Sequence, residues 1–179
     1  MKKYLICSDV HGSITSFKKV VDYFINNQFD RLIILGDLLY HGPRNDLPKN
    51  YRPKEVIQLA NSIKDKIIMV KGNCEAEVDQ MVLDFKIFNS KIIKHNGYKL
   101  HLVHGHHLDT NKNNYCEGDI VFYGHTHVSK KEIINGITYI NPGSTTIPKE
   151  NTKKSFITLV GNTCSLLTLN GKLIDKYLL

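Results

Sequence analysis

The sequence lacks the features that would assign it to a membrane or to the secreted proteins. No apolar run in its 179 residues approaches the roughly 20 residues that a membrane-spanning helix needs. Met1-Lys2-Lys3 is followed by only a few apolar residues, too few for the apolar core of a signal peptide. Internal repeats, low-complexity segments and linkers are also missing. We therefore expect a cytoplasmic protein whose residues 1–179 form a single domain.

Cysteine is scarce, and none of the four cysteines belongs to a C-x-x-C pair. Structural zinc sites and redox motifs are typically built on such pairs, so we expect neither. Disulfides are not expected in a protein that is not secreted. Cys7 lies within an apolar run and is predicted to be a core residue, whereas Cys74 lies within a polar cluster.

The chain is basic, with 24 lysines and arginines against 17 acidic residues and a formal net charge of +7. Such an excess is one indication of a nucleic acid partner. The lysines are scattered, however, and no stripe of alternating aromatic and basic residues is present. We expect solvated surface lysines and a positive field that favours an anionic substrate, with nucleic acid as the less favoured partner.

The first half of the chain alternates apolar runs with segments of helical periodicity. Strands are predicted at residues 3–7, 31–35 and 66–70, and helices at residues 13–27 and 53–63. This β-α-β-α-β order predicts a parallel sheet with right-handed crossovers.

The second half of the chain carries hairpin signals instead. Asn-Gly or Gly-Asn pairs at residues 96–97, 135–136, 161–162 and 170–171 indicate tight turns between apolar runs. The predicted strands cover residues 99–103, 120–123, 132–134, 137–140, 156–160, 165–169 and 173–177. We therefore predict an α/β fold in which two mixed sheets pack face to face, with helices outside. The loop at residues 38–52 is longer than compact domains usually carry and indicates a functional role.

Polar clusters stand at the ends of several apolar runs. Each contains Asp, Asn or His, the side chains that bind borderline divalent metals. Because ligands gather beyond the carboxyl ends of parallel strands, clusters on neighbouring strands would meet at one edge of the sheet. The clusters are Asp9-Val10-His11, Gly36-Asp37, Gly72-Asn73-Cys74-Glu75, His104-Gly105-His106 and Gly124-His125-Thr126-His127.

Each cluster taken alone also fits a helix cap, a turn or a surface histidine. Their repetition after successive strands favours a metal centre over unrelated caps. The candidate ligands are Asp9, His11, Asp37, Asn73, His104, His125 and His127. Oxygen and nitrogen donors without thiolate favour Mn, Fe, Zn or Ni over Ca or Mg. Two such ions about 3.5–4 Å apart suit phosphoester hydrolysis. His95 and His107 are expected to be ordinary surface or core residues, and His101 to face solvent or a layer boundary.

In this order the clusters resemble the motifs of the calcineurin-like metallophosphoesterase superfamily: D-x-H, G-D, G-N-H-[DE], a His, and G-H-x-H. The matches run from residue 9 to residue 127. Residues 8–13, 41–45 and 141–144 look closer still to the small bacterial YfcE-type phosphodiesterases. The resemblance implies a four-layer α/β sandwich with two metal ions. One ion would be held by Asp9, His11, Asp37 and His127, and the other by Asp37, Asn73, His104 and His125.

Cys74 stands where the superfamily pattern has a histidine that contacts the phosphate or protonates the leaving group. A thiol is a poorer acid and carries no imidazolium charge. We therefore hypothesise a preference for phosphodiesters with good leaving groups over monoesters; the alternative is that Cys74 only packs under its loop. Arg44 is the second candidate catalytic residue, since its guanidinium could fork onto phosphate oxygens. An ion pair with Asp46 is the competing interpretation.

The function predicted from the sequence is hydrolysis of a small phosphodiester by a hydroxide that bridges two divalent metal ions. Mn is the first candidate metal, with Zn, Fe or Ni as alternatives. Two rival functions are a non-catalytic protein-binding scaffold, because the superfamily includes retromer-subunit-like members, and a nuclease, which the charge would support. A homodimer or higher homo-oligomer is the default expectation for assembly. Residues 141–144 are predicted to shape the wall of the site.

Overall fold

The computed structural model describes residues 2–110 and 114–179. Met1, which contributed to the signal-peptide argument, lies outside these ranges. The described elements are β1 (Lys3–Cys7), α1 (Ile14–Asn26), β2 (Arg31–Ile34), α2 (Pro53–Ser62), β3 (Ile67–Val70), α3 (Glu77–Val82), β4 (Ile87–Phe88), β5 (Lys91–His95), β6 (Tyr98–Leu102), β7 (Ile120–Phe122), β8 (Ser129–Ile134), β9 (Ile137–Pro142), β10 (Ser155–Val160), β11 (Thr163–Thr168) and β12 (Leu173–Leu178).

The larger sheet has seven strands in the order β12-β11-β10-β1-β2-β3-β4. Strands β1 to β4 run parallel, with Ile6 opposite Ile33 and Ile33 opposite Ile68. The β-α-β-α-β order predicted for the first half is therefore confirmed. Strand β10 joins the other side of β1 in antiparallel pairing and continues through β11 to β12.

The smaller sheet has five strands in the order β5-β6-β7-β9-β8. Its centre is parallel, since β7 pairs in parallel with both β6 and β9. The antiparallel hairpins β5–β6 and β8–β9 form its two edges. Both hairpins turn at an Asn-Gly pair with positive φ at each position, 48° and 89° at Asn96-Gly97 and 52° and 75° at Asn135-Gly136. These are the angles that a two-residue hairpin turn of the primed type requires.

Alternation along β1 explains how the layers stack. Leu5 and Cys7 point to one face of the larger sheet and pack with apolar residues of α1 and α2. Tyr4 and Ile6 point to the other face and pack against β6, β7 and β9 of the smaller sheet. Cys7 is fully buried, as expected of a core residue.

The outer face of the smaller sheet carries a third apolar cluster. Val121 and Tyr139 are buried there, and Leu108 and Tyr115 of the segment between β6 and β7 pack against them. In the described ranges the helices α1 and α2 pack on one outer face, and Leu108 and Tyr115 pack on the other. The predicted α/β fold with two mixed sheets is confirmed. No helix in the described part of the chain has the length and apolar character of a membrane span.

Three elements were absent from the sequence prediction: α3, β4 and β5. Helix α3 is six residues long, and its apolar Val78 and Met81 are exposed. Its sequence therefore lacks the apolar periodicity by which a buried helix face is recognised. Strand β4 has two residues. In β5 the apolar Ile92 is exposed, which obscures the alternation of a half-buried strand. Strand β8 also begins at Ser129, three residues before its predicted start.

Candidate metal centre

The strand ends of the two sheets bring all seven predicted ligands to one edge of the molecule. Asp9 follows β1, Asp37 follows β2 and Asn73 follows β3, all at the carboxyl ends of parallel strands. The extensions of β1 and β2 stay paired beyond the strands, since the backbone N–H of His11 donates to Asp37 O at 2.9 Å. From the smaller sheet, His104 follows β6, and His125 and His127 follow β7.

The backbone at this edge is unusual for residues with side chains. Five of the seven predicted ligands adopt the left-handed conformation. Their φ values are 55° at Asp9, 49° at His11, 54° at Asp37, 65° at His125 and 62° at His127. Such conformations cost free energy and persist only where the surrounding structure enforces them, and they cluster at functional sites.

Three of the histidines are fixed by the same type of hydrogen bond. In each, Nδ1 lies within bonding distance of a backbone carbonyl oxygen, which can only accept. The bonds run from His11 to Tyr40 O (2.7 Å), from His104 to Leu35 O (2.7 Å) and from His127 to Ile147 O (2.8 Å). Nδ1 therefore carries the hydrogen, and in the neutral ring Nε2 presents a lone pair to the interior of the site.

The first group of candidate ligands, Asp9, His11 and His127, places atoms close together that a cation would hold. Nε2 of His11 and Nε2 of His127 face each other at 3.2 Å. Oδ1 of the fully buried Asp9 lies 3.3 Å from Nε2 of His127 and has no hydrogen-bond partner in the described residues. Facing lone pairs and an unsatisfied carboxylate oxygen require a proton or a metal ion between them. The donor set of Asp9, His11 and His127 therefore fits a divalent ion.

The second group surrounds Asp37 and Asn73. Oδ1 of Asn73 lies 3.0 Å from Nε2 of His104 and 2.7 Å from Nδ1 of His125. Oδ2 of Asp37 lies 3.4 Å from Nε2 of His104 and 3.8 Å from Nε2 of His11. The Asp37 carboxylate thus stands between the two groups, where a ligand shared by two ions would have to be.

The charges at this edge shift the pKa values of the ligands. Burial opposes ionisation of Asp9, but the adjacent imidazole rings of His11, His127 and His104 hold its pKa well below the usual range. Burial also opposes protonation of His104, yet its hydrogen bond to Asp37 and the nearby carboxylate charges raise its pKa to about 9. Burial and the neighbouring His104 lower the pKa of His125. Without a metal, protons balance the carboxylates, and a divalent ion would displace them.

Glu75 is a buried residue of the Gly72-Asn73-Cys74-Glu75 cluster, and the sequence alone assigns it no role. Its carboxylate accepts hydrogen bonds from the backbone N–H groups of Asp37 (2.9 Å), Leu38 (2.7 Å) and Gly72. Burial and the charge of Asp37 raise its pKa to about 7. Glu75 therefore ties the ends of β2 and β3 together directly behind the candidate ligands. Its place in the G-N-x-[DE] pattern was the signal available in the sequence.

Two glycines allow the close approach of these loops. A Cβ on Gly72 would overlap Oδ1 of Asp37 and lie 2.6 Å from the Asp37 backbone nitrogen. A Cβ on Gly124 would overlap Oγ of Ser8 and lie 2.8 Å from Oδ2 of Asp9. No side chain fits at either position without displacing a candidate ligand or its neighbour.

The segment after β9 supports the site from the side. Nδ2 of Asn141 donates to Gly124 O at 2.7 Å, next to His125. Oγ of Ser144 donates to Asp9 O, also at 2.7 Å. These contacts fix the backbone of the candidate ligands from outside the site.

Cys74 is half-buried, and its Sγ lies close to ligand atoms of His11 and Asp37. Burial and the charge of Asp37 raise the pKa of its thiol to about 12. The thiol is therefore neutral near neutral pH. Sγ also lies 3.2 Å from the position of a Cβ on Gly42, so Cys74 packs against the long loop as well as facing the site.

Arg44 lies on the long loop and lines a cavity of about 390 Å³ above the candidate ligands. Among the described residues, Arg52 is the one arginine in an ion pair, and its partner is Glu55. The alternative pairing of Arg44 with Asp46 is therefore not formed. His95 is buried and bonded to Gly161 O, as expected of an ordinary core histidine.

Comparisons with known proteins identify the family of this chain. A family model described as the calcineurin-like phosphoesterase superfamily domain matches residues 2–163. The chain belongs to this superfamily of hydrolases. It is 38% identical to the phosphodiesterase YfcE of Escherichia coli strain K12 over 178 residues, which cover 97% of this chain and 96% of YfcE. It is 25% identical to the phosphodiesterase MJ0936 of Methanocaldococcus jannaschii, over 77% of this chain and 81% of that protein.

Solved structures give the same assignment of the fold. The structure of the E. coli phosphoesterase YfcE superposes with a TM-score of 0.94 at 36% identity, covering 98% of both chains. Zinc-complexed Vps29 of Entamoeba histolytica superposes with a TM-score of 0.62 at 21% identity, again covering 98% of both chains. The second likeness shows the shared fold alone, whereas the first extends to the sequence as a whole.

Proposed function

We propose that this chain is a metal-dependent phosphodiesterase with a dinuclear centre. The observation that carries the proposal is the convergence of inward-facing Nε2 atoms on the unsatisfied Oδ1 of Asp9 and on Asp37. The similarity to YfcE supports the substrate class, because that relative is named a phosphodiesterase. Mn²⁺ is the first candidate metal, with Zn²⁺, Fe or Ni²⁺ as alternatives.

The proposed ligand sets share one residue. Asp9, His11, Asp37 and His127 form one set, and Asp37, Asn73, His104 and His125 form the other. Two divalent ions bound there would supply a hydroxide nucleophile near neutral pH and stabilise charge on the attacking and leaving oxygens. The backbone carbonyls that bind Nδ1 of His11, His104 and His127 keep each ring oriented for this task.

We assign Arg44 to the phosphate of the substrate. It lines the cavity, lacks an ion pair in the described structure and carries a fork of N–H donors that matches phosphate oxygens. Cys74 lies beside it with a neutral thiol whose pKa is about 12. Such a group assists a poor leaving group little, which supports a preference for diesters with good leaving groups. Positioning and electrostatics then supply most of the acceleration.

We further propose that residues 1–179 act as one domain. The family match ends at residue 163, but β12 pairs with β11 inside the larger sheet. The last strand is thus part of the same hydrogen-bonded layer as β1, which carries Asp9.

The test measures metal content and turnover of the purified protein. We expect Mn²⁺-loaded protein to cleave bis(p-nitrophenyl) phosphate faster than p-nitrophenyl phosphate. Asp37→Asn should lower the diesterase rate by at least about 10²-fold and reduce the bound metal, because an amide cannot supply the shared negative charge. Asp84→Asn, a change at an exposed aspartate, serves as the control.

Other outcomes would favour the rival functions. Protein that neither binds Mn²⁺ nor cleaves the diester would contradict the proposal and favour a scaffold. Cleavage of single-stranded nucleic acid that weakens steeply with salt would favour a nuclease. Full activity of Asp37→Asn with metal retained would remove the bridging assignment.

A further inference from the structure

The cavity above the candidate ligands is larger than a bare phosphodiester group requires. Its volume is about 390 Å³, in the range of pockets that enclose whole small molecules. Two cationic side chains from separate parts of the chain line it, Arg44 from the loop after β2 and Lys149 from the segment after β9. Asp37, a proposed metal ligand, is the carboxylate among the lining residues.

Lys149 is held in place by its backbone. Its N–H donates to His127 O at 3.1 Å, and its carbonyl accepts from Oγ1 of Thr152 at 2.7 Å. The lysine is therefore anchored to the backbone of a proposed metal ligand, while its side chain is exposed. Lys149 forms no ion pair with any residue in the ranges 2–110 and 114–179. The lysines that do so there are Lys18, Lys64 and Lys130.

Charge balance distinguishes two kinds of substrate. The carboxylates of Asp9 and Asp37 would cancel half of the positive charge of two divalent ions. The nucleophilic hydroxide and the single negative charge of a phosphodiester would cancel the rest. Arg44 and Lys149 then add two positive charges in a partly enclosed cavity, and the Glu75 carboxylate behind the candidate ligands offsets at most one of them. Charges in such a cavity interact more strongly than in bulk water.

We infer that the natural substrate is a phosphodiester that bears a second anionic group, and that Lys149 binds this group. The inference rests on the phosphodiesterase function proposed above. The chemistry required is a terminal phosphate or a carboxylate, since a lysine ammonium binds either as a point charge. Arg44 keeps its contact with the diester phosphate, and Lys149 determines which diesters are preferred.

A simpler role for Lys149 is general attraction of the diester phosphate itself. The two roles differ in a measurable way. General attraction strengthens binding of every diester, so truncation of Lys149 would lower kcat/KM equally for all of them. Recognition of a second anion changes the ratio between diesters that differ only in that anion.

The test uses p-nitrophenyl diesters of ethylene glycol that differ at the far hydroxyl, which carries either a phosphate or a methyl ether. We expect Mn²⁺-loaded protein to prefer the phosphate-bearing diester by about tenfold in kcat/KM. A third diester, built on 3-hydroxypropionate, carries a carboxylate and distinguishes the two anion classes. Lys149→Met should bring the ratio close to one, Lys149→Arg should keep most of it, and Lys149→Glu should invert it.

Lys153→Met is the matched control, since Lys153 is an exposed lysine of the same segment that does not line the cavity. Its ratio should equal that of the unmodified protein. A ratio of one for both the phosphate and the carboxylate diester in the unmodified protein, or a tenfold ratio that survives Lys149→Met, would overturn the inference.

A binding measurement separates this inference from the proposed function. Isothermal titration of Mn²⁺-loaded protein compares ethylene glycol bisphosphate with 2-methoxyethyl phosphate, neither of which is a diester. Preferential binding of the bisphosphate that depends on Lys149 in a protein without diesterase activity would support the anion site and contradict the phosphodiesterase function. Diesterase activity without this preference would contradict the anion site alone.

Discussion

The floor and the rim of the cavity are built in opposite ways. On the floor, Asp9, His11, His104 and His127 are at most 3% exposed, and each histidine is fixed by a backbone carbonyl. On the rim, Arg44 and Lys149 are exposed and have no ion pair within the described ranges. The floor is continuous with the core, so changes there affect metal binding and folding together. On the rim, we expect changes to alter substrate binding and turnover without disturbing the fold.

The floor would be broken most severely at Gly72. In Gly72→Ala the new Cβ overlaps Oδ1 of Asp37, so the carboxylate proposed to bridge the two ions has to move. We expect diesterase activity to fall by at least about 10²-fold, because small displacements of catalytic groups have effects of this size. Activity and bound Mn²⁺ are the measurements.

Gly97→Ala is the control for this change. Nothing lies within 4 Å of a Cβ at Gly97, but φ is +89° there. It should therefore cost about 1 kcal/mol of stability and leave activity intact. Equal activity of the two variants would show that the close approach at Gly72 is not needed.

We expect the protons on the floor to set the pH dependence of metal binding. The pKa of His104 is raised from 6.5 to about 9 in the metal-free protein, mainly by Asp37 against the effect of burial. His104 is therefore protonated below that pH, and a metal ion has to displace the proton. We expect Mn²⁺ affinity to weaken by about tenfold for each pH unit below about pH 9.

Chelator competition at several pH values measures this effect, and titration in buffers of different ionisation enthalpy counts the released protons. Affinity independent of pH between about pH 7 and about pH 9 would contradict a proton on His104.

Glu75→Gln tests whether the hydrogen bonds of Glu75 hold the candidate metal ligands in place from behind the floor. The amide retains one acceptor oxygen but turns its NH₂ group toward backbone donors at Asp37 and Leu38. We expect metal affinity to fall by about 10–100-fold, the usual effect of losing a partner that orients ligands. Glu77→Gln, at an exposed neighbouring position, is the control. Unchanged metal affinity in a folded Glu75→Gln protein would limit Glu75 to a structural role.

The smallest predicted effect concerns Cys74, which lies between the floor and the rim of the cavity. Cys74→His introduces a stronger acid–base group and should raise the monoesterase-to-diesterase ratio by about tenfold, at the low end of general acid catalysis. Rates on p-nitrophenyl phosphate and bis(p-nitrophenyl) phosphate give the ratio, with the exposed Cys116→Ser as the control. An unchanged ratio would mean that Cys74 only packs against Gly42.

The sequence predicted the floor better than the rim for a physical reason. Asp9, Asp37 and the histidines stand after apolar runs, and residue type with strand position suffices to nominate them. Their left-handed φ angles and the carbonyl partners of their rings depend on contacts between distant segments, as Tyr40 and Ile147 illustrate. A single sequence does not encode such contacts in a local pattern.

Lys149, on the rim, could not be recognised from the sequence either. In the sequence it is one lysine among many in a basic chain, and nothing local marks it. Its position beside the cavity follows from the bond between its backbone and His127. The weakly patterned α3, β4 and β5 were likewise recognised only once their partners in space were known.

The division of the candidate ligands between the two sheets would give bound metal ions a mechanical role. Asp9, Asp37 and Asn73 extend from the larger sheet, and the three histidines His104, His125 and His127 extend from the smaller one. Ions bound to both sets would cross-link the layers at this edge, and chelation would release the link. Amide hydrogen exchange would then quicken at the carboxyl ends of β6 and β7, while β11 and β12 at the far side of the larger sheet would keep their protection.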